Sequence, residues 1–181
     1  NPTKTFDMFE NNPPLIGFCA YSGTGKTTLL TRLIPILRAK NFKIGIIKHA
    51  HHQFDIDHPG KDSYELRKAG ASEIMIASSK RWALVHESDK KREEPSLEEV
   101  LNHLSLKELD IILVEGFKHE PVVKIELNRP SLGNPFLYPN DSSIIAIAMD
   151  EKPIKKIRLP ILDLNNENQI AEFITLNILK K

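Results

Sequence analysis

The amino-acid sequence predicts an α/β fold in which a mostly parallel sheet has helices on both faces, together with a short β extension. Two observations predict this class. Short apolar runs alternate along the chain with helical patterns, which is typical of strands that are buried on both faces of a parallel sheet. The first apolar run also leads through a glycine-containing turn directly into an amphipathic pattern, so a strand, a loop and a helix follow one another.

The elements follow from these patterns in chain order. Apolar runs predict strands at residues 15–20, 43–48, 73–77, 82–87, 111–116, 122–127, 144–149 and 160–164. Helical spacing and capping residues predict helices that begin at residues 27, 63, 96 and 167. The run 122–127 follows the strand before it too closely for a helical crossover. We therefore expect it to pair locally or to extend an edge of the sheet.

Length and composition limit the class of protein. A chain of 181 residues suits one domain, which we place at residues 15–181 after a flexible lead-in at residues 1–14. Lys and Arg number 25 against 24 Asp and Glu, a balance that gives no basic footprint for nucleic acid. No apolar run approaches the ~20 residues that span a bilayer. We therefore expect no membrane partner, and because Cys19 is the only cysteine, which rules out an internal disulfide, we expect a cytoplasmic protein.

The glycine-containing turn fits a phosphate-binding loop at every position but one. The pattern G-x-x-x-x-G-K-[ST] reads Ala20-Tyr-Ser-Gly-Thr-Gly-Lys-Thr27 in this chain. Ala20 can replace the first glycine only if its φ angle stays negative. The fold is therefore predicted to be of the P-loop NTPase type. The predicted nucleotide-binding residues of this loop are Ser22, Gly23, Thr24, Gly25, Lys26, Thr27 and Thr28.

Each residue type in the loop has a chemical role. Gly23 and Gly25 let the backbone curl so that its N–H groups point at an anion, and Lys26 is the candidate catalytic charge for the outer phosphates. Thr27 is placed to bind Mg²⁺ through its hydroxyl. Glu115 ends a strongly apolar strand and is the candidate acidic partner of that metal. The alternatives are a turn that only links a strand to a helix, and a structural role for Glu115.

A second polar loop follows the strand at residues 43–48. It contains His49, His51, His52, His58, Asp55, Asp57 and Asp62. Three interpretations stay open: a transition-metal site, a plain solvated loop, and a switch-like loop that meets the terminal phosphate and Mg²⁺. In the last of these, Asp57 or Asp55 lies near the metal.

Four segments of the chain together resemble the molybdopterin-guanine dinucleotide biosynthesis protein B family, MobB. They are "SGTGKTTLL", "KHAHHQFDIDHPGKDSYELRKAGA", "RWALVHE" and "ILVEGFKHE". The resemblance implies a cytoplasmic, homodimeric GTP-binding protein with weak Mg²⁺-dependent GTPase activity. It also implies a partner, the molybdenum cofactor guanylyltransferase that joins GMP to molybdopterin, and it raises molybdopterin itself as a ligand.

The sequence gives weaker evidence for guanine selectivity than for phosphate binding. Many GTPases read guanine with N-K-x-D, and no such tetrapeptide occurs in this chain. Asp150 ends the run "IIAIAMD" at a plausible place for a base-reading carboxylate, although a turn residue is the alternative. GTP is therefore expected from the family resemblance.

Two other functions use the same loop. A small-molecule kinase would transfer the terminal phosphate and would need an acceptor pocket and a cationic lid, for which "SDKKRE" is the only candidate. A metal or pterin carrier would use GTP only as a switch, with the histidines at residues 49–52 as the candidate ligands.

Overall fold

The computed structural model describes residues 12–50, 54–88, 94–153 and 156–179. Contacts divide the chain into two compact units. The first unit holds the described residues up to 49 and from 96 onward, and the second holds those between 50 and 95. Most of the expected lead-in, residues 1–11, lies outside the described residues, and the single domain at residues 15–181 stays a prediction. In the described part of the chain, no helix has both the length and the apolar character needed to cross a membrane.

Helices and strands alternate through most of the described chain. In order they are β1 (Leu15–Cys19), α1 (Lys26–Ala39), β2 (Ile44–Lys48), α2 (Asp62–Lys68), β3 (Glu73–Ala77), β4 (Trp82–His86), α3 (Leu97–Leu101), β5 (Ile111–Glu115), β6 (Lys124–Asn128), β7 (Ile144–Met149), β8 (Ile161–Asp163) and α4 (Glu167–Ile174). The last predicted helix continues from α4 as a π-helical turn, Thr175–Leu179.

The first unit is built on a six-stranded sheet with the strand order β2-β5-β1-β6-β7-β8. Every pair of neighbouring strands in it is parallel. Apolar side chains on one face pack with α1 and α4, and those on the other face pack with α3. The predicted class, a mostly parallel sheet with helices on both faces, is confirmed.

The expected place of the strand at residues 122–127 was wrong. β6 is an inner strand between β1 and β7, and it runs parallel to both. The reason is a stagger: β5 ends with Glu115 beside Phe18, while β6 begins with Lys124 beside Gly17. Along the strand direction, the end of β5 and the start of β6 are therefore only one residue of β1 apart. Residues 116–123, at roughly 3.3 Å per extended residue, can span the width of β1 without a helix.

This stagger also carries β6 past the end of its neighbour. Cys19, the last residue of β1, lies beside Glu126, so two further residues of β6 extend beyond β1. The residue that follows β6, Arg129, thereby comes level with the loop that leaves β1. Pro130 restricts the residue before it to extended backbone, and Arg129 has φ −114° and ψ 106°.

The second unit contains α2 and an antiparallel hairpin of β3 and β4. Neither buried apolar cluster includes a residue of this unit. A buried charge takes the central place instead. Arg67 is 8% exposed, and its guanidinium donates to Asp57, to Glu87 and, at 3.0 Å, to Asp55.

We expect Arg67→Ala to loosen the second unit and to leave the first unit unchanged. The substitution leaves three carboxylates close together without their cation, and such an uncompensated group is destabilising. Amide hydrogen exchange should therefore rise across α2 and the β3–β4 hairpin but not across β1 and β5. Arg81→Ala, at an exposed arginine of the same hairpin, is the matched control. Equal exchange in the Arg67 variant and the wild type would contradict this role.

Acid should act on the same cluster. Hydrogen bonds from the Ser63 hydroxyl and from Arg67 stabilise ionised Asp57 and hold its pKa below the usual value for an aspartate. A carboxylate with a lowered pKa contributes stability above the pKa of the unfolded chain, and this contribution is lost as the pH falls through the lowered value. Protection factors in the wild-type second unit, which are corrected for the pH dependence of intrinsic amide exchange, should thus stay high in mildly acidic solution and fall only at lower pH.

Candidate functional site

The loop between β1 and α1 lies at the carboxyl edge of the parallel sheet. It turns through Gly23 and Gly25, whose φ angles of 78° and 100° are costly for residues with a side chain. Ala20 is not among the residues with positive φ, so the conformation predicted for it is confirmed. Thr24, which is 2% exposed, donates from its amide and its hydroxyl to the Tyr21 carbonyl, at 3.3 and 2.7 Å. The loop thus has an internal brace.

The N-terminus of α1 is open. No side chain caps its first amides, and its first turn contains no acidic residue, so the positive end of the helix dipole is not offset within the helix. Ser22, Thr27 and Thr28 are exposed beside it. Backbone amides of a glycine-rich turn and an uncapped helix start together form a place that favours an anion.

Lys26 and Glu115 face each other across this opening. The Lys26 ammonium nitrogen lies 3.5 Å from Oε1 of Glu115, and the two side chains are 24% and 18% exposed. Strand register accounts for the meeting, because Glu115 ends β5 directly beside β1, from which the loop departs. The two predicted residues are therefore brought together. Each is the other's ion-pair partner in the described structure.

The end of β5 is packed tightly against the end of β2. The Glu115 carbonyl accepts a hydrogen bond from the His49 amide at 2.8 Å, which continues the β2–β5 pairing by one residue. Gly116 has φ 88°, and a Cβ at this position would lie 2.6 Å from the Cβ of His49. Only glycine fits there, and the packing fixes where Glu115 stands.

Asp150 forms an ion pair with Arg129, a residue that was not among those predicted from the sequence. Its Oδ2 accepts from Arg129 at 2.7 Å, and its Oδ1 is buried without a hydrogen-bond partner in the described residues. Arg129 also donates from Nε to the Thr24 carbonyl at 2.8 Å. Arg129 thus bridges Asp150 and the loop between β1 and α1.

A cavity of about 270 Å³ adjoins the loop within the first unit. Its lining includes Tyr21, Ser22, Lys26, Lys118, Lys124 and Asp141. Cys19 also contacts it, but burial, and then the nearby Glu126 carboxylate, raise the pKa of this thiol to about 12. Cys19 is therefore a neutral thiol at physiological pH and not a nucleophile.

Asp57 lies in the second unit, where Arg67 holds its carboxylate. Its assignment to a metal stays a prediction. His51 and His52, the centre of the metal-carrier hypothesis, lie outside the described residues. Among the residues that the structure does describe, no group of three or more His, Cys, Asp or Glu side chains could hold a metal ion.

The roles of Arg129 and Arg67 were not predicted from the sequence. Arg129 was hidden because the strand before it was expected at an edge or in a local pair. A usable signal existed: an arginine followed by proline directly after a strand stands at the carboxyl edge of the sheet, where ligands bind. For Arg67, the signal was that Asp55 and Asp57 lie only 12 and 10 residues before it in the sequence.

The chain is similar to proteins of one family. A model of the family described as "Molybdopterin guanine dinucleotide synthesis protein B", MobB, matches residues 15–150. The molybdopterin-guanine dinucleotide biosynthesis adapter protein of Escherichia coli (strain K12) is 48% identical over 162 residues, which are 89% of this chain and 91% of the relative. The protein of the same name from Haemophilus influenzae is 41% identical over 168 residues, 92% of this chain and 91% of the relative.

Solved structures show the same fold. The crystal structure of Bacillus subtilis MobB matches with a TM-score of 0.69 at 22% identity, and the match covers 91% of this chain and 98% of that chain. A likeness at this level of identity concerns the fold and agrees with the sheet described above.

Proposed function

The chain belongs to the molybdopterin guanine dinucleotide synthesis protein B family, and from that membership we propose that it is an adapter in the synthesis of molybdopterin guanine dinucleotide. The proposal extends to a nucleotide: the protein binds GTP at the loop between β1 and α1, in the cytoplasm. The observation that carries the nucleotide is the open start of α1, with Lys26 beside it and Glu115 within reach.

Phosphates would lie against the loop from Ser22 to Thr28. The backbone N–H groups there donate to phosphate oxygens, and Lys26 leaves Glu115 to neutralise the outer phosphates. Thr27 and Glu115 would hold Mg²⁺, directly or through water, since hydroxyl and carboxylate oxygens are the ligands that this ion prefers. Mg²⁺ would neutralise charge on the terminal phosphates. Without a well-placed arginine, hydrolysis should run at about 10⁻⁴ to 10⁻² per second.

Guanine preference rests on family membership. Asp150 stays the candidate for accepting from the N1 and N2 groups of guanine, but its Oδ2 is held by Arg129. Direct reading of the base therefore needs Asp150 to exchange Arg129 for the ligand. A modest preference for GTP over ATP in the isolated protein fits this arrangement better than strict selectivity.

The adapter needs a partner. We place the guanylyltransferase that joins GMP to molybdopterin in this role, and the cavity beside Lys26 as the candidate contact for molybdopterin. The test is calorimetric titration of the protein with GTP and ATP, with and without Mg²⁺, followed by addition of the transferase. We expect nucleotide binding in the first step and a changed affinity or hydrolysis rate in the second. No change on adding the transferase would contradict the adapter role.

One observation favours a second candidate, a small-molecule kinase. The cavity adjoins Lys26, where the terminal phosphate would lie, and Lys118 and Lys124 add further positive charge to its lining. An acceptor hydroxyl bound there would stand next to the group to be transferred. Most of the proposed lid, residues 89–93, lies outside the described residues. Phosphorylated pterin or another phosphorylated small molecule formed from GTP would favour the kinase over the adapter.

The proposed homodimer has a candidate surface in the second unit. One face of the β3–β4 hairpin pairs Met75 with Leu84 and places Trp82 beside them, and these side chains are 56%, 39% and 59% exposed. Exposed apolar side chains on a short hairpin favour a second sheet as their cover. We expect Met75→Lys to shift the mass measured by light scattering from dimer to monomer. Lys80→Ala, in the exposed turn of the same hairpin, is the control and should stay dimeric. A dimer that survives Met75→Lys contradicts this surface.

A further inference from the structure

We propose that Arg129 is a positioning residue of the phosphate site, which orients the Gly25 amide toward the phosphates by holding the Thr24 carbonyl. The inference rests on the proposed nucleotide site and adds to it a residue that contacts the loop from outside. Asp150 takes part as the anchor of Arg129.

Strand pairing and an ion pair fix Arg129 beside Asp150. Asn128 at the end of β6 lies beside Met149 at the end of β7, so the next residues, Arg129 and Asp150, continue the two strands side by side. Their ion pair at 2.7 Å involves side chains that are 32% and 17% exposed. A guanidinium presents several donors in a rigid plane, so one nitrogen can bind Asp150 while another binds elsewhere.

Another nitrogen of the Arg129 guanidinium binds the loop between β1 and α1. Nε of Arg129 donates to the Thr24 carbonyl at 2.8 Å, and a second guanidinium nitrogen lies 3.3 Å from where a Cβ of Gly25 would stand. The guanidinium thus lies against the Thr24–Gly25 peptide itself. The Thr24 hydroxyl and amide both donate to the Tyr21 carbonyl, so Thr24 is held at its side chain and amide by Tyr21 and at its carbonyl by Arg129.

The bond to the Thr24 carbonyl also determines where the Gly25 N–H points. In a planar trans peptide the C=O and the following N–H point in opposite directions. Holding the Thr24 carbonyl toward Arg129 therefore turns the Gly25 N–H away from Arg129, toward the inside of the loop. A charge-assisted bond to the carbonyl also polarises the peptide and strengthens its N–H as a donor. Without Arg129, Gly25 at φ 100° has the freedom to rotate this peptide.

The experiment compares Arg129→Ala with the wild type on three probes: GTP, inorganic tripolyphosphate and guanosine. A residue that positions a phosphate-binding amide affects GTP and tripolyphosphate alike. We expect both affinities to fall by about tenfold to a hundredfold, because one charge-assisted hydrogen bond is at stake, and guanosine binding to stay the same. Loss of GTP affinity with unchanged tripolyphosphate affinity would overturn the proposal, because Arg129 would then act on the base.

Three further variants keep the result interpretable. Arg129→Lys keeps the charge but cannot hold Asp150 and Thr24 together, so it should recover only part of the lost tripolyphosphate affinity. Asp150→Asn keeps the shape of the anchor and weakens its hold, so a smaller loss is expected. Arg32→Ala is the matched control, since it breaks an arginine ion pair on the outer face of α1, with Glu167 at 3.1 Å. Equal tripolyphosphate affinity in wild type, Arg129→Ala and Arg129→Lys would overturn the proposal.

A readout without ligand separates this inference from the nucleotide itself. In amide spectra of ¹⁵N-labelled, ligand-free protein, the Gly25 resonance should shift in Arg129→Ala and stay in place in Arg32→Ala. An unchanged Gly25 resonance overturns the role of Arg129 even if GTP binds. If the Gly25 resonance shifts in Arg129→Ala but the wild-type protein binds neither GTP nor tripolyphosphate, the result instead contradicts the proposed function.

Discussion

We expect Lys26→Ala to remove most of the nucleotide affinity of the loop, which is the largest effect that we expect from a single substitution. The ammonium group is the one side-chain cation that the loop itself supplies, at the first residue of α1. Its bonds to phosphate oxygens are charge-assisted, and losing them should lower affinity by at least about a hundredfold. The loss should be the same for GTP and ATP, because phosphates and not the base are affected. Titration calorimetry in the presence of Mg²⁺ measures it.

Lys40→Ala is the control for this substitution. Lys40 follows the opposite end of the same helix and is exposed, so its removal changes the net charge equally without touching the loop. Affinity in this variant should match the wild type. If Lys26→Ala bound GTP as tightly as Lys40→Ala, the phosphate loop assignment would fail, and with it the proposed nucleotide function.

We expect Glu115→Gln to raise the affinity for GTP in the absence of Mg²⁺ and to reduce the gain in affinity that Mg²⁺ brings. In the ligand-free protein Glu115 pairs with Lys26 at 3.5 Å, so the carboxylate competes with phosphate for the same ammonium. A partly exposed pair of this kind contributes up to about 1 kcal/mol, and its removal should tighten GTP binding without Mg²⁺ by up to about fivefold. When Mg²⁺ is present, the variant lacks the carboxylate that we propose as a ligand of this ion. Its affinity should then gain little from the ion, and hydrolysis should fall by about a hundredfold.

This crossing of effects distinguishes a metal partner from a structural residue. A merely structural Glu115 would lower affinity with and without Mg²⁺, and the two curves would not cross. Asp110→Asn is the matched control, because Asp110 precedes the other end of β5 and accepts from the Lys43 amide at 2.7 Å. It should leave both the Mg²⁺ response and the hydrolysis rate unchanged.

The sequence was most informative where the chemistry is local. The loop from Ala20 to Thr27 is defined by consecutive residues, so its spacing alone predicted the strand, the turn and the start of α1. The negative φ required of Ala20 followed from the clash of its Cβ in the left-handed region. Glu115 could be placed as well, since a strand of four apolar residues ending in an acid points to one edge of a parallel sheet.

It was least informative where partners are distant along the chain. Arg129 and Thr24 are separated by 105 residues, and only the stagger of β6 against β1 brings them together. That stagger is a property of strand register, which apolar runs do not encode when both faces are buried. The same limit applies to Asp150, which could be placed at a strand end but not assigned its partner.

One backbone hydrogen bond joins the end of β5, beside Lys26, to the residue that follows β2. The carbonyl of Glu115 is tied to the His49 amide at 2.8 Å, and the chain passes from His49 directly into the residues of the second unit. If Glu115 binds Mg²⁺ as proposed, any shift of its peptide would be transmitted through this hydrogen bond to the residues at which the second unit begins.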